Sequence, residues 1–526
     1  MRRGRMFDLI KRFGSMIKGS ITGFDRIVFK GILFPLMFAN GAMIFCQRNH
    51  ILNKDYKSWM MAQTKDLVEA VDQYAKDNCG HGIEPISSWR IRKEELARNR
   101  QRSEAIDTGL IGVWSCMESG LSYRAHFCPD AGFPQLRRYN TRCKHLYFYL
   151  DHAEFGFMNI RLQTWFPYHI QICLNGREWL QRHLELQGID FLSKGNKLLH
   201  IADYEAAQQL LNSQLDAQWT DLLNAFVPIA FPTMEQTLGP DLSYYWTMWQ
   251  SEWATDLIFA SPSDLNPVMN SLLNHAIITG NSTRILKYLD RPMTAKGTPS
   301  LRSKDSVSTR IMDFNDGVRV RHWVDHNSVK VYNEQNVLRI ETTINDPSKF
   351  KVHRHKQGQP TSEPKSRLPM RKGVADVPLR AKVSQEANER FMKDLATLHD
   401  KTPVHQLLED VTRSRKKSGK RIRAIDPTGK DRELLQAISD PAFRISGLTN
   451  KMIRQRLQGK QWAKGRTDKQ LSARISRHLS LLRDHGIIKK LPKQHRYQLT
   501  EKGAKLTTAL NALLAASTEQ LIDMAA

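Results

Sequence analysis

Near the C-terminus, Leu471, Ile475, Leu479 and Leu482 recur at helical spacing, so one stripe of Thr467–His485 must face a core. Lys469, Gln470, Ala473, Arg477 and Ser480 fall on the other side, a short, polar and basic face. Asp468 or Thr467 can cap the start of this helix, and Gly486 stands where a C′ residue would stop it. A shorter helix is expected before it, at Thr449–Leu457 within Ser446–Leu457, carrying Lys451, Arg454 and Arg456. Within Ile487–Leu499, the segments Ile487–Lys490, Pro492–His495 and Arg496–Leu499 read as two strands joined by a basic turn. The pattern is helix, turn, helix, then a hairpin.

The stretch LSARISRHLSLLRDHGIIKKLPKQHRYQLTEKGAKL, from Leu471 to Leu506, resembles the recognition helix, wing and following helix of multiple-antibiotic-resistance-type and archaeal winged-helix regulators. Their wing usually ends in a Leu-Thr-x-x-Gly turn, which here is Leu499, Thr500, Glu501, Lys502, Gly503. The resemblance implies a winged-helix DNA-binding domain over residues 431–526. Its recognition helix would enter the major groove, with Arg466, Lys469, Gln470, Arg474 and Arg477 as nucleic-acid-binding residues. Lys489, Lys490, Lys493 and Arg496 of the wing would meet phosphates. Winged helices also serve as protein-contact or dimerisation modules. Against that use, residues 401–526 hold 27 Lys and Arg to 11 Asp and Glu.

The whole chain is basic, +26 over 526 residues with a pI near 9.8, so attraction to a polyanion is expected. DNA, RNA and anionic membrane all satisfy charge alone. With 40% apolar residues the length suggests two to four domains of ordinary core size. Cys46, Cys79, Cys116, Cys128, Cys143 and Cys173 form no C-x-x-C pair, which suggests neither a zinc ribbon nor a disulfide framework, and a reducing cytoplasm is the natural compartment. The apolar run Ile32–Phe45 contains Pro35, Asn40 and Gly41 and is shorter than the roughly twenty residues that span a bilayer, so it reads as a core helix and no membrane partner is expected. No secretion signal is expected.

Helical patterns follow at Lys54–Asn78 and Lys93–Gln101, and strands at Gly109–Met117, His145–Leu150, Phe157–Thr164 and Tyr168–Leu174. Asn175-Gly176 opens a helix at Arg177–Gln187, and Ala206–Phe226 reads as one long amphipathic helix. Lys349–Arg380, with prolines at 360, 364, 369 and 378, looks like a loop or linker, within which Met370–Asp376 is less linker-like. Helices resume at Ser384–His399 and Pro403–Glu409. Seven positive charges from Arg413 to Arg423 suggest a second, electrostatic hinge. The expected fold class is α+β: a large mixed N-terminal module with antiparallel strands (1–348, divisible at 145/146), a basic linker with helices (349–430), and the winged helix.

The middle third holds the candidate chemistry. Ser243–Phe259 is rich in aromatics and places Glu252 and Asp256 four apart, and Val318–Ile344 reads as two or three antiparallel strands. Phe24–Gly31 has strand-like alternation around Asp25, a position that suits a metal ligand or an Asp–Arg pair. Lys330-Val331-Tyr332-Asn333 with Leu338-Arg339-Ile340-Glu341 resembles a strand pair of rolling-circle replication initiators, although Asn333-Glu334 stands where that family has Asp-Lys. The resemblance implies Glu341 as a metal ligand, Lys330 and Arg339 as phosphate contacts, and Tyr332 on the motif tyrosine, with Tyr244 and Tyr245 as alternative nucleophiles. Mg²⁺ or Mn²⁺ suits such oxygen ligands, and Glu252 and Asp256 are further candidates. Competing structural roles are a half-buried strand aromatic for Tyr332, an ion pair for Glu341, and core packing or base stacking for Tyr244, Tyr245, Trp246 and Trp249. His353-Arg354-His355 imitates a paired-histidine metal motif but fits a basic loop better.

The chain also resembles a broad set of bacterial proteins sharing Phe24-Asp25-Arg26, Leu162–Pro167, Ser243–Trp246, Leu338–Thr342 and Met370–Asp376, which implies a large α+β module with a DNA-binding tail and no particular catalysis. No P-loop, Rossmann fingerprint, Ser-His-Asp signature or zinc-protease motif is present. Two functions are carried forward. One is a DNA-binding protein of a mobile or replication-initiator-like element that nicks or processes DNA, duplex or single-stranded, by metal-dependent cleavage or transposase-like strand transfer. The other is a non-enzymatic winged-helix transcriptional regulator, or an RNA-binding protein using the basic body. A palindromic target would imply a homodimer.

Overall fold

The computed structural model describes residues 14–515 apart from 88–90, 267, 270–271, 273–281, 292–306, 315–316, 357, 361, 397–402, 418, 441–442, 444–446 and 492–494. The chain is mixed α+β with a large, mostly antiparallel sheet. It divides into two compact units: Gly19–Ile258 with Glu341–Glu386, and Met1–Lys18 with Phe259–Ile340 and Ala387–Ala526.

In the first unit the strands lie in the order Tyr245–Phe259, Ile17–Ile32, Ile170–Asn175, Gly156–Gln163, Phe133–His152, Gly109–Cys128 and Glu84–Pro85. Glu341–Ile344, the end of strand Val337–Ile344, lies beyond Tyr245–Phe259. Pairing is antiparallel from Ile17–Ile32 through Gly109–Cys128, and Phe24, Phe29, Phe148, Ile160, Leu162 and Ile172 are fully buried. The hairpin Gly109–Cys128/Phe133–His152 runs well past the expected strands, because backbone pairing continues from Glu118↔Cys143 to Cys128↔Phe133 through polar residues. Helix Tyr56–Cys79 packs on it with Met60, Leu67 and Val71 inward.

Three expected elements of this unit differ. The apolar run after Ile32 is a 3₁₀ turn, Phe34–Met37, and a helix, Ala39–Arg48, because Pro35 suits the first residues of a turn and lacks an N–H. Ala206–Phe226 is interrupted: Tyr204–Ser213, capped by Asp203, ends before Trp219–Ala225, and the Trp219 indole donates to the Gln214 carbonyl at 3.1 Å across the break. The proline-rich stretch after Lys349 contains two paired strands, Lys351–Arg354 and Ser366–Pro369, after which Met248 N donates to Lys372 O at 2.7 Å. Backbone pairing there owes nothing to hydrophobic periodicity.

In the second unit Val307–Phe314, Gly317–Val324, Asn327–Glu334 and Val337–Ile344 follow one another as a meander, with antiparallel registers such as Arg321↔Lys330. Farther along, helices Val404–Thr412, Arg432–Ile438, Asn450–Leu457, Asp468–Asp484 and Glu501–Ala515 share one core with the strands Ile488–Lys490 and Tyr497–Leu499. The basic stretch from Arg413 is a small hairpin, Arg415–Lys417 with Lys420–Ile422, and the flanking Val411 and Ile425 are buried in that core. Among the described residues no helix is long and apolar enough to cross a membrane.

Candidate metal centre

Asp25, Glu252 and Glu341 come from separate strands of the first unit, yet each offers a carboxylate oxygen within 4.8 Å of the other two. Asp25 and Glu341 are buried and Glu252 is half-buried. Asn196 Nδ2 donates to Asp25 Oδ1 at 3.1 Å, and Gln250 Nε2 donates to Glu252 Oε1 at 3.2 Å. Asp25 and Glu252 line a pocket of about 190 Å³ with Arg26, Glu94, Arg98 and Cys173. Arg98 lies over the Phe157 ring at 3.9 Å and pairs with Glu178 at 3.1 Å, while Arg26 Nε donates to Cys173 Sγ at 3.1 Å. Burial pushes the Cys173 thiol up, so it accepts this bond as a neutral group.

The position of the Asp25 strand follows from close packing. Phe24 meets Trp253 edge-to-face at 4.8 Å, and Trp253 Nε1 donates to Gln385 Oε1 at 2.8 Å. Thr22 Oγ1 donates to the same oxygen at 2.6 Å. Helix Gly176–Leu186, capped by the Asn175 side chain, begins against Phe24: a Cβ on Gly176 would sit 2.0 Å from the Phe24 carbonyl oxygen. Only glycine permits that approach, so Gly176 fixes the neighbour of Asp25. Arg380, fully buried, donates to Met248 O at 3.1 Å and Ile344 O at 3.2 Å, joining the strands that carry Glu252 and Glu341. Burial lowers its pKa to about 10, which leaves it charged at neutral pH.

Of the residues expected to form the site, Glu341 and Glu252 meet. Asp25, whose place in a strand suits a metal ligand or an Asp–Arg pair, completes the group. Asp256 lies elsewhere: its Oδ2 accepts from Arg177 Nε at 3.1 Å in a fully buried ion pair, and Arg177 Nη2 also donates to Ala254 O at 3.1 Å. Tyr244 is buried, donates to Tyr168 O at 2.7 Å, and is pushed above the usual phenol range by burial. Tyr245 is exposed but seven residues from Glu252, about 23 Å at a strand's ~3.3 Å per residue. Tyr332, Lys330 and Arg339 belong to the second unit and are buried, Tyr332 with Arg319 at 5.0 Å and Lys330 at 5.4 Å from its ring centre. His353 is exposed and lies outside the carboxylate group.

No family model, curated protein or solved structure matches this chain.

Oxygen donors and no sulfur or nitrogen ligand suit a hard cation such as Mg²⁺ or Mn²⁺. Octahedral Mg²⁺ at about 2.1 Å holds ligand oxygens about 3.0 to 4.2 Å apart, so three oxygens within 4.8 Å need only a small contraction to share one ion.

In the C-terminal core, Thr467 and Gln470 form a capping box for helix Asp468–Asp484, so Gln470 is tied to the helix start. Arg474 stacks on Trp462 at 3.9 Å and donates to its carbonyl at 2.9 Å. Arg466 also donates to the Trp462 carbonyl, at 3.3 Å, but is exposed. Lys469, Arg477, Lys489 and Lys490 are exposed and Arg496 is half-buried, while Lys493 lies outside the described residues.

Proposed function

We propose that the chain is a nucleic-acid-processing protein in which Asp25, Glu252 and Glu341 hold Mg²⁺ or Mn²⁺ and act on a phosphodiester. The convergence of three carboxylates from distant parts of the sequence into one cluster, two of them lining a pocket, carries this reading. Three anionic side chains held this close repel one another, and a divalent cation offsets that cost. The metal would polarise a phosphate oxygen and lower the pKa of a bound water. Around it, Asn196 and Gln250 orient Asp25 and Glu252, and Arg26 at the pocket can meet a non-bridging phosphate oxygen. Water is favoured over a tyrosine as the attacking group, since Tyr244 is buried and Tyr245 stands far along the strand.

The C-terminal core supplies duplex binding as a winged helix. In support, Thr449 caps helix Asn450–Leu457, Leu471, Ile475, Leu479 and Leu482 are buried, and the outward Lys469, Ala473 and Arg477 are exposed. Strands Ile488–Lys490 and Tyr497–Leu499 pair antiparallel, and Gly503 lets the last helix close on them, because a Cβ there would lie 2.0 Å from Ile487 O. A cytoplasmic site of action would give such a protein access to DNA.

The test is incubation of the full chain with supercoiled plasmid and single-stranded circles, with and without Mg²⁺ or Mn²⁺, read on denaturing gels. Metal-dependent strand breaks absent from Glu341→Gln are expected. Intact strands under every metal condition, with salt-sensitive binding retained, would leave a binding protein or regulator.

A further inference from the structure

On the same strands as the carboxylates, the first unit gathers a second group of side chains. Trp249, three residues before Glu252, is 42% exposed, and Tyr245 on that strand is 54% exposed. Lys30 Nζ, on the Asp25 strand, lies 4.8 Å from the Trp249 ring centre, and Lys372 Nζ lies 4.3 Å from the same ring. Two ammonium groups on one indole repel each other. Among the described residues neither lysine has an acidic partner at ion-pair distance, although Asp346 is near enough for Lys372 to help hold its carboxyl below the usual range, and the neighbouring Arg161 is already paired with Glu118 at 2.6 Å.

Backbone contacts hold both cations in place. Met248 N donates to Lys372 O at 2.7 Å, Gly373 bridges to Thr247, and Thr247 Oγ1 donates to Lys30 O at 2.9 Å. The lysines are thus fixed around an open aromatic face by pairing that does not neutralise them. His169, pushed down to about 3 by burial and by the cations near it, adds no charge at neutral pH. The complementary ligand repeats a flat ring and a negative charge. An acidic peptide would satisfy the lysines but has no use for the exposed indole.

We infer that Trp249, Lys30 and Lys372 form a platform for one strand of nucleic acid: a base stacks on Trp249 while the lysines hold its flanking phosphates. Tyr245 receives a neighbouring base. Arg26 and Lys30, four residues apart on one strand and about 13 Å at strand spacing, share a face, and Arg26 lines the pocket with Asp25 and Glu252, so one strand can touch both platform and carboxylates. The substrate class is therefore single-stranded nucleic acid, or a duplex opened at the site, and this assignment rests on the phosphodiester reading of the centre.

The experiment is fluorescence anisotropy of short labelled oligo(dT) and oligo(U) with the full chain in EDTA, so that binding is read without cleavage. Trp249→Ala should weaken binding about tenfold and Trp249→Phe much less, because stacking survives in the second. Lys30→Gln and Lys372→Gln should each flatten the log–log salt dependence by about 0.7. A stronger grip on one oligomer would identify DNA or RNA as the strand. Unchanged affinity in a Trp249→Ala protein with wild-type melting, or displacement of the oligomers by polyglutamate at equal charge concentration, would overturn the platform. Loss of affinity in Trp249→Ala alongside a wild type that never cleaves would keep the platform and remove the catalytic reading. Cleavage with unaltered Trp249→Ala binding would do the reverse.

Discussion

Between Thr449 and Gly503 the determinants of structure are local: Thr449 and Thr467 cap their own helices, the Leu471–Leu482 stripe buries at helical spacing, and Gly503 closes on a strand a few turns earlier. The carboxylate centre is assembled the opposite way. Asp25, Glu252 and Glu341 have no sequence neighbours in common and meet only because Gly176, Gln385 and Arg380 fix three strands against one another. A local fold can be read from a short window, whereas a centre of this kind exists only once the sheet has formed. It follows that substitutions in the two regions should separate duplex binding, chemistry and stability.

The largest effect expected distinguishes two acids on one strand. Asp256→Ala leaves Arg177 charged, buried and unpaired, and should cost about 3–5 kcal/mol of stability. Glu252→Gln removes one of three clustered negative charges and should leave melting unchanged or raise it in metal-free buffer. Thermal melting of both variants in EDTA decides the matter; equal losses would mean that Glu252 also serves a structural pair.

Next in size, Glu341→Gln keeps shape and removes a ligand charge, and should lower Mg²⁺-dependent cleavage more than about a hundredfold while oligonucleotide affinity in EDTA holds. An active Glu341→Gln protein would dissolve the contrast between the regions by reducing the centre to a packed set of acids. Arg477→Ala is the mirror experiment. It should weaken duplex binding by about 1–3 kcal/mol if the side chain reads a base, with cleavage of single strands unaffected. Gel-shift titration against duplex and gel assay on single-stranded circles measure the two arms.

What the sequence made legible follows the same division. The capped helix, its buried stripe and the strand pair were visible because each depends on spacing within a few residues. Glu252 stands out as an acid in an aromatic segment and Glu341 as one in a strand-like segment, but nothing local joins Asp25 to them. Asp256 is a companion of Glu252 in the sequence because the two acids stand four residues apart; on a strand they span about 13 Å, and the two carboxylates go to different partners. The chain after Lys349 resembled a linker because proline and lysine dominate its composition, whereas its role is set by backbone pairing that carries Lys372 to Trp249. Composition cannot reveal a hydrogen bond from Met248.

The smallest effect tests the platform through pH. Burial, reinforced by Arg161 and Lys372, pushes Lys30 down to about 8 from an ordinary 10.5. Between those values the unfolded chain holds the proton that the folded chain has released, so the contribution of Lys30 to stability rises with pH across this window. Its contribution to phosphate binding has the opposite sign, because the neutral amine attracts no anion. Oligo(dT) affinity should therefore fall severalfold as pH rises from 7 to 9 in EDTA, while melting shows no parallel loss. Lys30→Arg keeps its charge throughout and should bind with little pH dependence over that interval. If affinity and melting declined together in the wild type, the fall would belong to unfolding; if Lys30→Arg showed the same decline in binding, another group would be responsible and Lys30 would not be the phosphate contact.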